Sequence, residues 1–572
     1  MSLYDALVYP VLITLFLSLC LRLLLRFLRN SPLQYLPGPR PESWFTGNLG
    51  QLFNSKGLRY HHDLVQRYGG VVKVYGFFGD EQLYVSDPSA LYSIILKDQD
   101  AFDETRVFIE TNKVIFGEGL VATTGDHHKR QRKLVTPIFS TANLRKLTPV
   151  FYEIAHKLVD ALSKDANISK GNEKNPIDMA SWMSRVALES VGQTVLGYSF
   201  DPLQTPSSNP YTSAVRELIP TLFSLSLLRQ FAPFLANLGS RSFRRRLVEH
   251  TPIRAVQKVK NMSDVMYNTA RTILRQKTAE GGDVASTNEA GGKDLLRILV
   301  KENSKALHGD KLSEDEIIGQ MTVLIFGAQD TTSSALSRLL YMLATHPQVQ
   351  EKLRAEMMEA RNSGSLDENG DLDYDTLMSM PWMDAVLKET LRLYPPVPFV
   401  RRTATETRRI PLWRPVHSDR PAHPPMESIV IPEGTTLFLG LAATNRSEDI
   451  WGLDAKEWKP ERWLRPKSAS STVKEDGPRL PGIYGNGMLT FLGGERSCVG
   501  YKFAQVEIKT ILATLLSSFA FSPTGDKIVW NLSQIISPSV RKEIIHPSSS
   551  REVHEQQGLP LVVRPIAELI DQ

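Results

Sequence analysis

Apolar residues recur at helical spacing over long stretches of this chain, at about Ser140 to Leu162, Asp178 to Leu196, Arg254 to Thr278, Ser313 to Ala344 and Val349 to Arg361. A repeat near 3.6 residues marks an amphipathic helix with one face turned to a core, so the middle of the chain is predicted to be helical. Strict alternation is rare. It occurs at Val71–Tyr75 and Gln82–Val85, which flank a turn-like stretch with Gly76 and Gly79 and predict a small hairpin. Short strand-like pieces return at Ile429–Ile431, near Gln534–Ile536 and at Leu561–Val563, while Ala279 to Lys293, rich in Gly, Ala and acidic residues, reads as a surface loop. The expected fold class is mainly α with small peripheral β-sheets.

Two apolar runs break the amphipathic pattern. From Ala6 to Leu21 there are sixteen residues without a charge, and Leu23, Leu24, Leu25, Phe27 and Leu28 extend the run between Arg22, Arg26 and Arg29. A bilayer-crossing helix needs roughly 20 apolar residues, and snorkelling arginines supply the missing length. A signal peptide is the competing reading, but its positive charge should precede the apolar run and a small-residue cleavage site should come after it. The arginines on the far flank place the body of the chain in the cytosol. Pro37-Gly38-Pro39 stops the helix, so the expected organisation is an anchor at 1–30, a proline-rich hinge at 31–45 and one catalytic domain at 46–572. The second run, Leu218 to Leu238, precedes Arg241, Arg244, Arg245 and Arg246. Two readings stay open for it, a core helix or a surface dipping into the membrane with its arginines at the headgroups.

Composition bounds the function. With 572 residues, 42% hydrophobic and 23% charged, the chain can bury a large core, and a net charge of +5 is too small to argue for nucleic acid. There are two cysteines, and Cys20 lies inside the N-terminal apolar run. A disulfide framework or a multi-cysteine zinc site is excluded, which leaves Cys498 as the only thiol of the body. Its surroundings are Phe491-Leu-Gly-Gly-Glu-Arg-Ser-Cys498-Val-Gly500, a glycine-punctuated loop running into a helix-like segment from Tyr501.

This loop resembles the cysteine loop of the cytochrome P450 superfamily, Phe-x-x-Gly-x-Arg-x-Cys-x-Gly, and fills every fixed position with Phe491, Gly494, Arg496, Cys498 and Gly500. Physically, backbone N–H groups at a helix N-terminus stabilise a thiolate, and glycines let backbone approach a flat macrocycle. The resemblance implies that Cys498 is the axial ligand of haem b iron, that Arg496 meets a haem propionate and that Phe491 packs beside the sulfur.

Other matches occur in the family's order. Glu389-Thr-Leu-Arg392 resembles its Glu-x-x-Arg helix element, and Pro460-Glu-Arg462-Trp463 its Pro-Glu-Arg-Phe element, implying a structural charge triad of Glu389, Arg392 and Arg462. Gly327-Ala328-Gln329-Asp330-Thr331-Thr332 resembles the helix over the distal haem face, with Ala328 where a glycine is usual. There Asp330 and Thr331 would be the catalytic pair that relays protons. In Gly125-Asp-His-His128-Lys-Arg-Gln-Arg132, Arg132 matches a propionate arginine, while His128 stands where Trp is usual and is either a further propionate contact or a surface histidine. Arg402 is the expected third propionate arginine, with Arg401 beside it easily mistaken for it.

The family resemblance implies a monooxygenase that takes electrons from NADPH through cytochrome P450 reductase, with cytochrome b5 as a further partner, and oxidises a lipophilic substrate. Lys129, Arg130, Arg132, Lys133 and Lys502 would offer a basic face to an acidic flavoprotein. Phe326, Ala328, Thr331, Val397 to Val400 and parts of Phe108 to Val121 would line the pocket. The anchor points to the endoplasmic reticulum membrane, with the catalytic domain cytosolic. The stretches Arg408 to Glu427 and Leu464 to Met488 are similar to those of fungal members, for which a terpenoid or other secondary metabolite is the expected substrate. Two rivals remain: a haem-thiolate isomerase or dehydratase that needs no reductase, and a non-enzymatic haem-binding sensor.

Overall fold

The computed structural model describes residues 31–164, 176–203, 210–280, 294–306, 308–420, 423–464, 478–545 and 551–566. The predicted helices form with small shifts at their ends. The principal helices are α1 (Leu58–Tyr68), α2 (Arg106–Phe116), α3 (Gly125–Val135), α4 (Thr141–Ser163), α5 (Met179–Val191), α6 (Pro210–Ser224) and α7 (Arg254–Glu280). They continue with α8 (Glu314–Thr345), α9 (Pro347–Ser363), α10 (Pro381–Leu393) and α11 (Tyr501–Ser518). The helix expected over Asp178 to Leu196 ends its α portion at Val191 and continues as a π turn, Gly192–Leu196.

The strands are β1 (Val71–Tyr75), β2 (Glu81–Val85), β3 (Phe102–Asp103), β4 (Ile177–Asp178), β5 (Val400–Ala404), β6 (Arg408–Val416) and β7 (Met426–Ile431). The remainder are β8 (Thr436–Leu439), β9 (Phe519–Pro523), β10 (Lys527–Ser533), β11 (Ile535–Ile545), β12 (Arg551–Gln557) and β13 (Pro560–Pro565). β1 and β2 pair antiparallel as the alternation predicts, and they sit at one edge of a five-stranded sheet ordered β1-β2-β8-β5-β3. The strand expected near Gln534–Ile536 forms from Ile535 as the start of β11, and only Gln534 falls outside it. Gln534 lies in the turn between β10 and β11 with φ 72°, because Ser533 pairs directly with Ile535. Most of Arg408 to Glu427 belongs to a two-stranded antiparallel pair, β6 with β7, that closes at Ile431.

The axis of the molecule is α8. Ser313 caps it reciprocally with Glu316, an N-terminal arrangement that contributes about 1 kcal/mol. His346 ends it, and Pro347 opens α9 at a position where its missing N–H costs nothing. The C-terminal half of α8 buries Leu336, Leu339, Leu340 and Leu343 in one core cluster with Val386 and Leu387 of α10 and Ile511 and Leu515 of α11. Its N-terminal half buries Ile318, Met321 and Ile325 in a second cluster with α4, α5, α6 and α7. Gly327 to Thr331 falls between the two, where the helix is not fully covered. Gly327 is exposed, and a Cβ built there would meet nothing within 4 Å.

The run from Leu218 to Leu238 divides into a buried part and an exposed part. Leu218, Leu222 and Phe223 are core, whereas Leu228, Phe231, Phe234 and Leu235 are exposed on the short helices Ser226–Arg229 and Ala232–Ala236 or between them. Among the described residues no helix is long and apolar enough to cross a membrane. The expected transmembrane helix at 1–30 lies outside them, as do residues 281–293 of the predicted surface loop and 465–477 of the Leu464 to Met488 stretch. At the other end of that loop, α7 runs to Glu280, past the predicted start.

Candidate active site

Cys498 lies in the loop between the single-turn helix Gly494–Arg496 and α11. The loop is closed by its own backbone, with Cys498 N–H donating to Phe491 O at 2.9 Å and Ser497 N–H to Gly494 O at 3.1 Å. Gly494 has φ 64°, and a Cβ there would come within 2.3 Å of Ile95 O, so both conformation and space require glycine. The Cys498 side chain is accessible, yet the space it opens on is internal: burial pushes its thiol pKa up, against the pull of the Gly500 N–H and the Arg132 charge. A thiol so placed ionises when a metal takes the proton's place. Phe491 packs edge-on against Tyr484, with centroids 5.4 Å apart, and tilts toward Tyr501 at 6.1 Å.

The expected propionate residues converge on one side of this loop. Arg132 donates to Ser497 O and to Ser497 Oγ, both at 2.8 Å, and makes no ion pair with a described residue. Arg496 donates to Asp103 Oδ1 at 3.0 Å, and Arg402 pairs with Glu104 at 2.8 Å. His128 is 3% exposed, which removes the surface-histidine reading. Burial and the charges of Arg496, Arg132, Lys129 and Arg402 hold its pKa down to about 3, so it stays neutral. This donor set suits a haem. A single accessible thiol would supply the iron ligand, no Cβ-sized obstruction stands at Gly500, and a knot of guanidinium groups would meet the two negative propionates.

On α8, Thr331 Oγ1 donates to the Gly327 carbonyl at 2.7 Å, a bond one turn back that loosens the helix where it is least covered. Asp330 has no hydrogen bond to its carboxyl among the described residues, and burial pushes its pKa up to about 7. It borders a cavity of about 60 Å³ lined also by Ser184, Ser333, Ser334, Ser337 and Ser537, polar enough and large enough for a few waters. Phe326 stacks near Phe116 of α2 at 4.6 Å, and Phe326, Ala328, Val121, Val397 and Val499 all border the second core cluster. The segments expected to line a pocket thus pack, like the residue after Cys498, against one and the same core cluster.

Glu389, Arg392 and Arg462 meet in the core. Arg392 is bidentate to Glu389, at 2.9 and 2.8 Å, and Arg462 Nε reaches Glu389 Oε1 at 3.4 Å. Trp463, at the family's aromatic position, adds an indole N–H to Glu389 Oε2 at 3.0 Å. The basic face is less free than the sequence suggests: Lys129 pairs with Asp100 and Glu495, Arg130 with Glu316 and Lys133 with Asp310. Arg132 points inward, and Lys502 donates to Thr141 Oγ1. A lock that spacing did not reveal ties α3 to the start of α8. Against the raising effect of burial, bonds from Ser313, His127 and Gln131 hold the Glu316 carboxyl down to about 2. Its α3 partners stand more than 180 residues away in sequence, which is why no local pattern signals it.

The profile of the family described as Cytochrome P450 matches residues 37–545. The chain is 41% identical over 533 residues to Cytochrome P450 monooxygenase 91 of Postia placenta, covering 93% of this chain and 95% of that one. It is 40% identical to Cytochrome P450 monooxygenase 81 of the same fungus, over 92% of this chain and 94% of the relative. A ganoderic acid synthetase of Ganoderma lucidum is 38% identical, over 91% and 94%. With the mainly helical fold, its small sheets and the Cys498 loop, these matches show that the chain belongs to the cytochrome P450 family, as an enzyme of its monooxygenase class.

Proposed function

We propose that the protein is a haem-thiolate monooxygenase of lipophilic secondary metabolites, with terpenoids as the leading substrate class. The observation that carries this reading is the accessible Cys498 thiol in its closed loop, in a chain whose α8 carries the acid–hydroxyl pair Asp330 and Thr331 beside the incompletely covered Gly327. Haem b, when bound, supplies the activation of dioxygen with electrons from NADPH, delivered by cytochrome P450 reductase or cytochrome b5. Cys498 holds the iron, Arg132, Arg402, Arg496 and His128 hold the propionates, and Phe491, Gly494 and Gly500 shape the loop beneath. Phe116, Phe326, Ala328 and Val397 exclude water and orient an apolar substrate. The name of the Ganoderma relative supports secondary-metabolite oxidation.

Asp330 holds a proton that the serine-lined cavity can replace, and Thr331 sits one residue on to pass it toward the substrate side. With its pKa near 7, Asp330 is mostly a donor at pH 6 and mostly ionised at pH 8. Product formed per NADPH consumed should therefore fall as pH rises through 7, and Asp330→Asn should abolish that dependence while lowering turnover by about 10²-fold or more. Stability shifts in the same direction. The folded carboxyl keeps a proton that the unfolded one, near 3.8, has lost, so the melting temperature should decline between pH 4 and 7 and the contribution level off above. A profile unchanged in Asp330→Asn would remove the acid from the proton path.

Incubation with NADPH, purified reductase and labelled dioxygen tests the reaction itself. One labelled oxygen in the product is expected. Turnover without reductase or dioxygen would instead identify an isomerase or dehydratase, and normal haem reduction without turnover across lipophilic substrates would identify a sensor.

We place the enzyme on the endoplasmic reticulum membrane, anchored by residues 1–30, with the catalytic domain cytosolic. An exposed aromatic face supports this: Trp44 and Phe45 lie beside Phe78, and Phe77 contacts Phe231, whose neighbours Phe234 and Leu235 are exposed ahead of the arginines at 241–246. The full chain should stay with the membrane fraction through both high salt and an alkaline wash. Release by alkaline wash would contradict a spanning anchor.

A further inference from the structure

The connection from α2 to α3, residues 117–124, contains only a single turn of 3-10 helix, Leu120–Ala122. Two buried glutamines on the flanking helices hold it, Gln131 of α3 and Gln320 of α8, both 0% exposed. Gln131 Nε2 donates to Glu118 O at 2.7 Å and to Glu316 Oε1 at 3.1 Å. Its Oε1 accepts from Thr123 Oγ1 at 3.2 Å and from Gln320 Nε2 at 3.0 Å. Gln320 Oε1 in turn accepts from the Leu120 N–H at 3.2 Å. Residues 118, 120 and 123 are thus tied to two helices through one pair of side chains.

Two further contacts press the start of the connection onto α8. Thr322 Oγ1 donates to Phe116 O at 2.7 Å, and Gly119 meets Gly319 so closely that a Cβ on either would come within 2.7 Å of the other's main chain. Each glutamine fits one way round. Turned over, Gln320 would set its NH2 against the Leu120 N–H, and Gln131 would set its oxygen against Glu118 O and the Glu316 carboxylate. A paired polar network of this kind admits one arrangement, whereas apolar side chains of similar volume would fill the seam without fixing it. What it fixes lies on the pocket side. Phe116 stacks near Phe326 of α8 at 4.6 Å, and Val121 packs on the same core cluster as Phe326 and Ala328.

We propose that Gln131 and Gln320 are positioning residues: they hold the 117–124 connection, and with it the wall at Phe116 and Val121, in one register against α8, so that bulky ligands are fitted there. The inference rests on the haem-thiolate reading for its ligand readout, but hydrogen exchange tests the clasp independently of haem.

The experiment combines hydrogen exchange of the purified full-length holoenzyme with spectral titration by imidazole and clotrimazole. Both bind iron through an imidazole nitrogen, and clotrimazole adds a bulky apolar body. In Gln320→Met the peptide covering 117–124 should exchange about 10- to 100-fold faster. Clotrimazole affinity should fall about 10-fold while imidazole affinity holds. Gln131→Met should do the same, and the double variant should lose no more than the larger single loss, because the two side chains act as one unit. Gln320→Asn, one methylene too short to reach both partners, should show the same pattern at smaller size and serves if Gln320→Met loses its carbon monoxide spectrum. Gln350 is the control, a 3% exposed glutamine bonded to Leu343 O and to the Phe521 main chain, between α9 and β9. Gln350→Met should lower the melting temperature and leave clotrimazole affinity unchanged. Unchanged exchange over 117–124 or unchanged clotrimazole affinity in the Gln320 variants, equal losses for both ligands, or the same clotrimazole loss in Gln350→Met would overturn the proposal. A wild type without the thiolate spectrum would instead overturn the haem-thiolate reading, and the exchange arm would still decide the clasp.

Discussion

Glu389→Ala is expected to yield a protein that holds little or no haem and melts well below the wild type. Glu389 and Arg392 are 0% exposed and Arg462 is 5% exposed, so their charges have no access to water. The carboxylate accepts from both arginines, from the Trp463 indole and from the Lys459 N–H at 3.0 Å. Removing it leaves two buried guanidinium groups without their common counter-ion, a loss of about 3–5 kcal/mol. Against a domain stability of about 5–15 kcal/mol, that is enough to open the haem-side core at working temperature. Asp454, which pairs with Arg462 at 2.7 Å, has a side chain 30% exposed, so Asp454→Asn should cost about 1 kcal/mol or less. Haem-to-protein ratio and calorimetric melting check both variants. Full haem content in Glu389→Ala would show that the triad does not support the site.

The long helices were legible because a core-facing stripe repeats on the helical period whatever it packs against. α8 is the clearest case, since both its Ser313 cap and its apolar rows are local features. The small sheets were less so. Gln534-Ile535-Ile536 reads as one strand-like piece, and only the cross-strand pairing of Ser533 with Ile535 makes Gln534 a turn. The run after Leu218 carries the same composition on both sides of Leu225, and tertiary neighbours alone decide that Leu222 is core and Phe231 is not. In the site, the Cys498 loop stood out because glycine, arginine and cysteine sit at fixed short spacings. His128 could be named but not placed, because its burial comes from the groups that pack around it.

Cys498→Ala is expected to end turnover. No other thiol exists among the described residues, and the loop around it, with its Gly494 turn, Gly500 N–H and Arg132 charge, offers no second ligand. The anionic sulfur is what distinguishes this ligation from that of a haem carrier, since it pushes electron density toward the iron and favours oxygen–oxygen bond cleavage. Product formation should therefore drop to background even where some haem remains bound through the propionate residues. Cys498→His retains an axial ligand without the thiolate and separates loss of haem from loss of ligation. The most direct test is the absorption spectrum of the reduced, carbon monoxide-bound protein. The wild type should show the strongly red-shifted Soret band of a thiolate haem, and Cys498→His should bind carbon monoxide without it. A wild type lacking that band, or a Cys498→His variant that keeps it, would contradict the assignment of Cys498 as the iron ligand.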